Sequence, residues 1–211
     1  MRIAVLLYEN FTALDAVGPY EVLSRVPGAE VVFTAARRGP VRTDMASLAL
    51  TADASLEEVT SADVLLVPGG PGTAEQLGDE AVLEWVRAVD ATTTWTTSVC
   101  SGSLILGAAG LLGGRRATSH WVCLDQLPLF GAQPSGTERI VVDGKYATAA
   151  GVSAGIDLAL TLTGLMAGGR VAESIQLVIE YDPQPPYSAG SVATAPAGLV
   201  EELKATNLLL V

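Results

Sequence analysis

Cys100 stands where an apolar, β-rich run ends and a helical pattern begins, within Thr94-Trp95-Thr96-Thr97-Ser98-Val99-Cys100-Ser101-Gly102-Ser103-Leu104. A thiol in that place suits nucleophilic catalysis. Parallel sheets build their sites at the carboxyl ends of strands, and a helix N-terminus favours thiolate and offers amides to an anion. The spacing Cys100-Ser101-Gly102 matches the second half of a nucleophile elbow, with Ser98 where the usual elbow carries glycine. The competing reading is a buried, inert cysteine packed as a small apolar residue. That reading fits Cys123, which sits among Trp121, Val122 and Leu124.

Two further segments supply partners for such a thiol. Val67-Pro68-Gly69-Gly70-Pro71-Gly72 closes another strand pattern with glycines that let backbone amides approach a ligand. It is neither a Walker A loop nor G-x-G-x-x-G, because no Gly-Lys-Ser/Thr follows and Glu75 occupies the third glycine position. A plain turn and an oxyanion-type pocket opposite Cys100 both remain open. Asp15 lies among apolar neighbours in Ala13-Leu14-Asp15-Ala16-Val17-Gly18-Pro19, after the first strand and ahead of a helix whose first turn is expected to carry Pro19. It is either a helix cap or, if strand one is central, a carboxyl brought close to Cys100. Partly desolvated there, it should have a raised pKa and share a proton with sulfur. His120 lies in an Ala-Thr-Ser-His-Trp strand edge or turn; a Cys–His–acid triad is not required if Asp15 handles the proton, and packing or hydrogen bonding is the expected role of His120.

Short apolar runs alternate with helical patterns throughout, which predicts a mostly parallel sheet covered by helices on both faces. Residues 3–8, 31–35, 64–67 and 95–99 read as central strands, and 19–26, 79–89, 102–112 and 154–167 as the helices between them. Asp143-Gly144 predicts a hairpin joining 140–142 to 146–148, and 41–43 with 48–51 forms a second candidate hairpin. Another helix is expected over 171–180. Residues 182–198, rich in Pro, Ser, Gly and Ala, read as an ordered loop or arm, and 199–210 as a last helix with an apolar end. Residues 1–211 are read as one domain.

Composition narrows the function. Hydrophobic residues make up 49% of the 211 and charged residues 17%, enough apolar surface for a large core. The net charge of −11 opposes nucleic-acid binding, which depends on neutralising phosphates with basic side chains. One histidine and two cysteines argue against a structural metal cluster or a disulfide framework, so Cys100 and Cys123 are expected to be reduced thiols. The opening apolar run stops at Glu9-Asn10, too short for a signal core, and Asp157 interrupts the best candidate membrane span. A cytoplasmic protein without membrane contact is the expectation.

Together these segments resemble the ThiJ/PfpI superfamily, of the class I glutamine-amidotransferase-like folds, and most of all its isocyanide hydratase branch. Arg116-Ala117-Thr118-Ser119-His120-Trp121 and Gly155-Ile156-Asp157-Leu158-Ala159-Leu160-Thr161-Leu162 fit that pattern, as does the more telling tail Glu180-Tyr181-Asp182-Pro183…Pro185-Pro186-Tyr187-Ser188-Ala189-Gly190-Ser191. The resemblance implies an α/β, flavodoxin-like or Rossmann-like fold and a homodimer with neither metal nor organic cofactor. It implies Cys100 as nucleophile, Asp15 as proton donor, and amides of Gly70 and Ser101 lining a site for a small isocyanide, with a thioimidate intermediate. Protease- and glyoxalase-like relatives place histidine directly after the cysteine; Ser101 stands there instead. Asp15, shorter than the common glutamate, agrees with the hydratase branch. A glyoxalase- or deglycase-like thiol enzyme, a cysteine-based oxidative-stress sensor and a ligand-sensing domain like those of AraC-type regulators are the alternatives. The last lacks a basic helix-turn-helix segment after residue 198.

Overall fold

The computed structural model describes residues 1–205. Five parallel strands form the heart of the sheet: β1 (Arg2–Leu6), β2 (Glu30–Ala35), β5 (Ala54–Ser55), β6 (Val64–Val67) and β7 (Trp95–Val99). β10 (Ile140–Asp143) and β11 (Tyr146–Ala149) complete it as the hairpin that Asp143-Gly144 implies, with β11 parallel to β7 and β10 the antiparallel edge. The spatial order is β10-β11-β7-β6-β1-β2-β5. β6 and all but the first residue of β1 are buried along their whole length, because helices cover both faces of the sheet. The second hairpin also forms, as β3 (Gly39–Arg42) and β4 (Ala49–Ala52), outside the main sheet. A short parallel pair, β8 (Arg116–Ala117) and β9 (Gln133–Pro134), is separate as well.

One helical layer contains α1 (Ala13–Leu23), α5 (Ala154–Ala167) and α6 (Gly169–Val178), and the other α2 (Thr73–Gln76), α3 (Glu80–Asp90) and α4 (Gly102–Ala108). α3 shows the strongest local logic: the Asp79 side chain accepts from the amides of Ala81 and Val82, capping a helix that buries Val82, Leu83, Trp85, Val86 and Val89. α7 (Leu199–Ala205) ends the described chain, so the expected helix over 199–210 lies partly outside it. Residues 182–198 are irregular and mostly exposed, as the composition suggests.

Two of the boundaries that differ from the sequence reading have a plain physical cause. α1 begins at Ala13, so Pro19 lies inside the helix and Asp15 in its first turn, whereas a helix starting at Pro19 was expected. The proline is accommodated by tertiary packing. A Cβ on Gly155 would lie 3.0 Å from the Pro19 ring, so its absence lets α1 and α5 cross closely. α4 stops at Ala108 rather than continuing to Leu112, because Gly110 at φ 81° turns the chain out of the helix.

Candidate functional site

The Asp15, Gly69-Gly70 and Cys100 segments meet at the carboxyl edge of the sheet. β6 is hydrogen-bonded between β1 and β7, so the glycine turn that follows it separates the acid carried by α1 from the thiol that ends β7. Asp15 is fully buried. Its Oδ2 accepts from the Gly69 amide at 2.9 Å, while Oδ1 has no conventional partner. Burial pushes this carboxyl up to about 7, against the lowering influence of the Gly69 amide and of hydrogen bonding with the Cys100 thiol.

Gly69 permits the approach. A Cβ there would lie 2.5 Å from the Ser101 nitrogen and 2.9 Å from the Cys100 Cβ, so no side chain fits between turn and elbow. Cys100 adopts φ 60°, in the left-handed region that a residue with a Cβ enters at a cost of about 1–3 kcal/mol. Several bonds hold it there. Its N–H donates to Ala150 O at 3.0 Å, and its carbonyl accepts from Ser119 Oγ at 3.0 Å and Ser103 Oγ at 3.3 Å. The sharp turn expected of a nucleophile elbow is therefore present without a glycine at Ser98.

The thiol is buried too. Burial, and next the charge of Asp15, raise its pKa well above the ordinary thiol value, while the amides of Ser101 and Val152 pull it down. A resting thiolate favoured by the helix N-terminus was the sequence expectation; desolvation outweighs that effect here. Thiol and acid form one buried pair whose first ionisation removes one of two protons, and with the thiol raised further than the acid the proton that remains rests mainly on sulfur.

The other expected residues divide. The Ser101 amide bonds to the Cys100 sulfur. The Gly70 amide, also expected to line the site, donates to Ser101 Oγ at 3.0 Å. The neighbouring Gly69 amide engages the acid instead. His120 forms no triad. Its Nδ1 accepts from the Val122 amide at 3.4 Å, its ring packs beside Gly151 and Trp121, and burial lowers its pKa. Cys123 is half-buried, and it and the buried Cys100 are both free thiols.

Sequence reasoning missed Tyr8, Thr73 and Val152. Tyr8 and Thr73 form a buried hydroxyl run with Ser101, and nothing in their local sequence marks them. Val152, at φ 20°, had no signal beyond following Gly151. A groove of about 420 Å³ lined by Arg25, Pro27, Arg170, Val171, Ile175 and Val178 belongs to a different face and contains none of the site residues. Among the described residues no group of three or more His, Cys, Asp and Glu side chains could hold a metal ion, and no helix is long and apolar enough to cross a membrane.

A buried cysteine–acid pair at the rim of a flavodoxin-like sheet defines the class of α/β protein to which this chain conforms. The chain belongs to the DJ-1/PfpI family, whose model matches residues 1–164. It is 42% identical to the isonitrile hydratase of Pseudomonas putida over 204 residues, 97% of this chain and 89% of that one. A deglycase of Pyrococcus abyssi is 30% identical over 148 residues, 69% of this chain and 87% of its own. The crystal structure of a ThiJ/PfpI family protein from Pseudomonas syringae superimposes with a TM-score of 0.95 at 40% identity, covering 99% of this chain and 86% of that one.

Proposed function

We propose that the protein hydrates isocyanides, R–N≡C, to N-formamides, with Cys100 as nucleophile and Asp15 as proton carrier. The observation that carries this reading is the buried Asp15 carboxyl against the Cys100 thiol, with a pKa raised to about 7. The similarity to an isonitrile hydratase over 97% of the chain supports the same substrate class.

The singly ionised pair is the reactive form. The thiol proton passes to the Asp15 carboxylate as sulfur attacks the terminal carbon, and the carboxyl then delivers it to that same carbon, giving the thioimidate R–N=CH–S–Cys100. Asp15, now a carboxylate, takes a proton from water as the hydroxyl adds to the carbon, and passes it to nitrogen. Loss of the remaining hydroxyl proton to Asp15 expels sulfur, releases R–NH–CHO and restores the pair. The amides of Ser101 and Val152 stabilise the sulfur whenever it bears charge. Neutral isocyanides suit this centre, since a charged group would pay the desolvation that raises both pKa values.

The physiological form is taken to be a cytoplasmic homodimer needing no metal or organic cofactor. A second reading, deglycase or glyoxalase action, draws on the archaeal relative. Purified protein given p-nitrophenyl isocyanide should form the formamide, with Cys100→Ala inactive. Lactate from methylglyoxal in place of formamide would decide for the second reading. The raised thiol pKa disfavours a peroxide sensor, because oxidation follows thiolate character.

A further inference from the structure

Tyr8, Thr73 and Ser101 form a run of three buried hydroxyls, and the direction of every proton in it follows from one carbonyl. Pro68 O can only accept, so Tyr8 O–H donates to it at 2.7 Å. With that proton committed, the 3.1 Å contact between Thr73 Oγ1 and Tyr8 must have Thr73 as donor. Thr73 has then spent its own proton, so Ser101 donates across the 2.9 Å contact to Thr73. The remaining acceptor within reach of the Ser101 proton is Gly70 O, at a longer 3.4 Å. Ser101 Oγ meanwhile accepts from the Gly70 amide at 3.0 Å. One lone pair is left, and no donor.

We infer that Tyr8 and Thr73 are positioning residues that hold Ser101 as an acceptor only, so that Ser101 Oγ and Asp15 Oδ1, with the thiol consumed in the thioimidate, together orient the water that hydrolyses that intermediate. The inference rests on the hydratase reading. Both acceptors are anchored on the same turn: Gly69 donates to Asp15, and a Cβ on Gly69 would lie 2.6 Å from Ser101 Oγ. A water giving one proton to each acceptor keeps a lone pair free for the carbon. A Ser101 hydroxyl free to rotate would instead donate to that water and occupy the lone pair. Water addition is the step this arrangement serves; sulfur attack draws on the Asp15 proton but not on Ser101 Oγ.

Thr73→Val removes the link at constant volume, Tyr8→Phe removes the fixed end so that Thr73 turns its proton toward Ser101, and Thr73→Ser keeps both bonds. With p-nitrophenyl isocyanide, Thr73→Val and Tyr8→Phe should keep the first-turnover burst while steady-state kcat falls roughly 10- to 100-fold, as for a misplaced reactant. Intact-mass spectra should then show the substrate adduct accumulating on Cys100, and Thr73→Ser should restore turnover. If Thr73→Val fails to fold, Tyr8→Phe and Thr73→Ser decide the matter. Burst and steady state falling together, without adduct, would overturn the inference. Neutron diffraction of the deuterated wild-type protein tests the hydrogen-bond directions without any substrate. A Ser101 deuteron on the line to Thr73 supports the assignment, and one aimed toward Cys100 or Asp15 overturns it. Absence of formamide from the wild-type enzyme would refute the proposed function, a failure distinct from either of these.

Discussion

Replacing Asp15 by asparagine should stabilise the folded protein, and by an amount that grows with pH. The carboxyl ionises at 3.8 when exposed and at about 7 in its buried site, chiefly because burial disfavours the charge. Between those values the unfolded chain has released a proton that the native protein retains, so wild-type stability falls as pH rises, by up to about 1.4 kcal/mol per pH unit. The loss is absent below pH 3.8 and complete above about 7, where it reaches an upper limit of about 4 kcal/mol. Asparagine has no such proton to lose, and its amide oxygen can still accept from Gly69. Urea denaturation of both proteins from pH 5 to 9 should show Asp15→Asn the more stable, with a gap that widens to about pH 7 and then levels. Turnover by the same variant should fall by at least about 10²-fold, since it has lost its proton carrier. A gap that is constant or shrinks with pH would refute the burial argument, and an unchanged rate would refute the role of Asp15.

Wild-type kcat/KM should rise through an apparent pKa near 7, as the pair loses its first proton, and hold a plateau beyond pH 8, because the thiol is raised well above its ordinary value; a fall above pH 7 would contradict the singly ionised reactive form. Cys100→Gly should be more stable than Cys100→Ala by about 1 kcal/mol in thermal or urea melts, since φ 60° is free for glycine and strained for alanine. Both variants should be inactive, and the opposite stability order would show the elbow to be unstrained. Gly69→Ala, whose Cβ would press on the Ser101 nitrogen at 2.5 Å, should cost about 1–3 kcal/mol and lower activity as turn and elbow separate; a variant of wild-type stability and rate would show that the turn can retreat without consequence.

Much of the architecture is legible in residue order alone, because strand and helix patterns are local. Buried runs at 64–67 and 95–99 reappear as β6 and β7 with the same bounds, and Asp143-Gly144 marks the β10–β11 hairpin. Pro19 misled for an equally physical reason. Proline reads as a helix start, yet here it lies within α1, facing the missing side chain of Gly155, a neighbour no local pattern reveals. At the site, the strand-to-helix step marked Cys100, and the motifs quoted with it drew attention to Asp15, Ser101 and the glycine turn. Residue types and spacing thus settled the fold class and singled out residues that meet at the carboxyl edge of the sheet. The folded structure decided how those groups are charged and which amide serves which oxygen. Gly69, 54 positions from Asp15, donates to the acid, while the adjacent Gly70 amide is spent on Ser101. A helix N-terminus argues for a thiolate, but the core around Cys100 reverses that. Desolvation depends on what surrounds a group in three dimensions, and most of what surrounds this pair is distant along the chain.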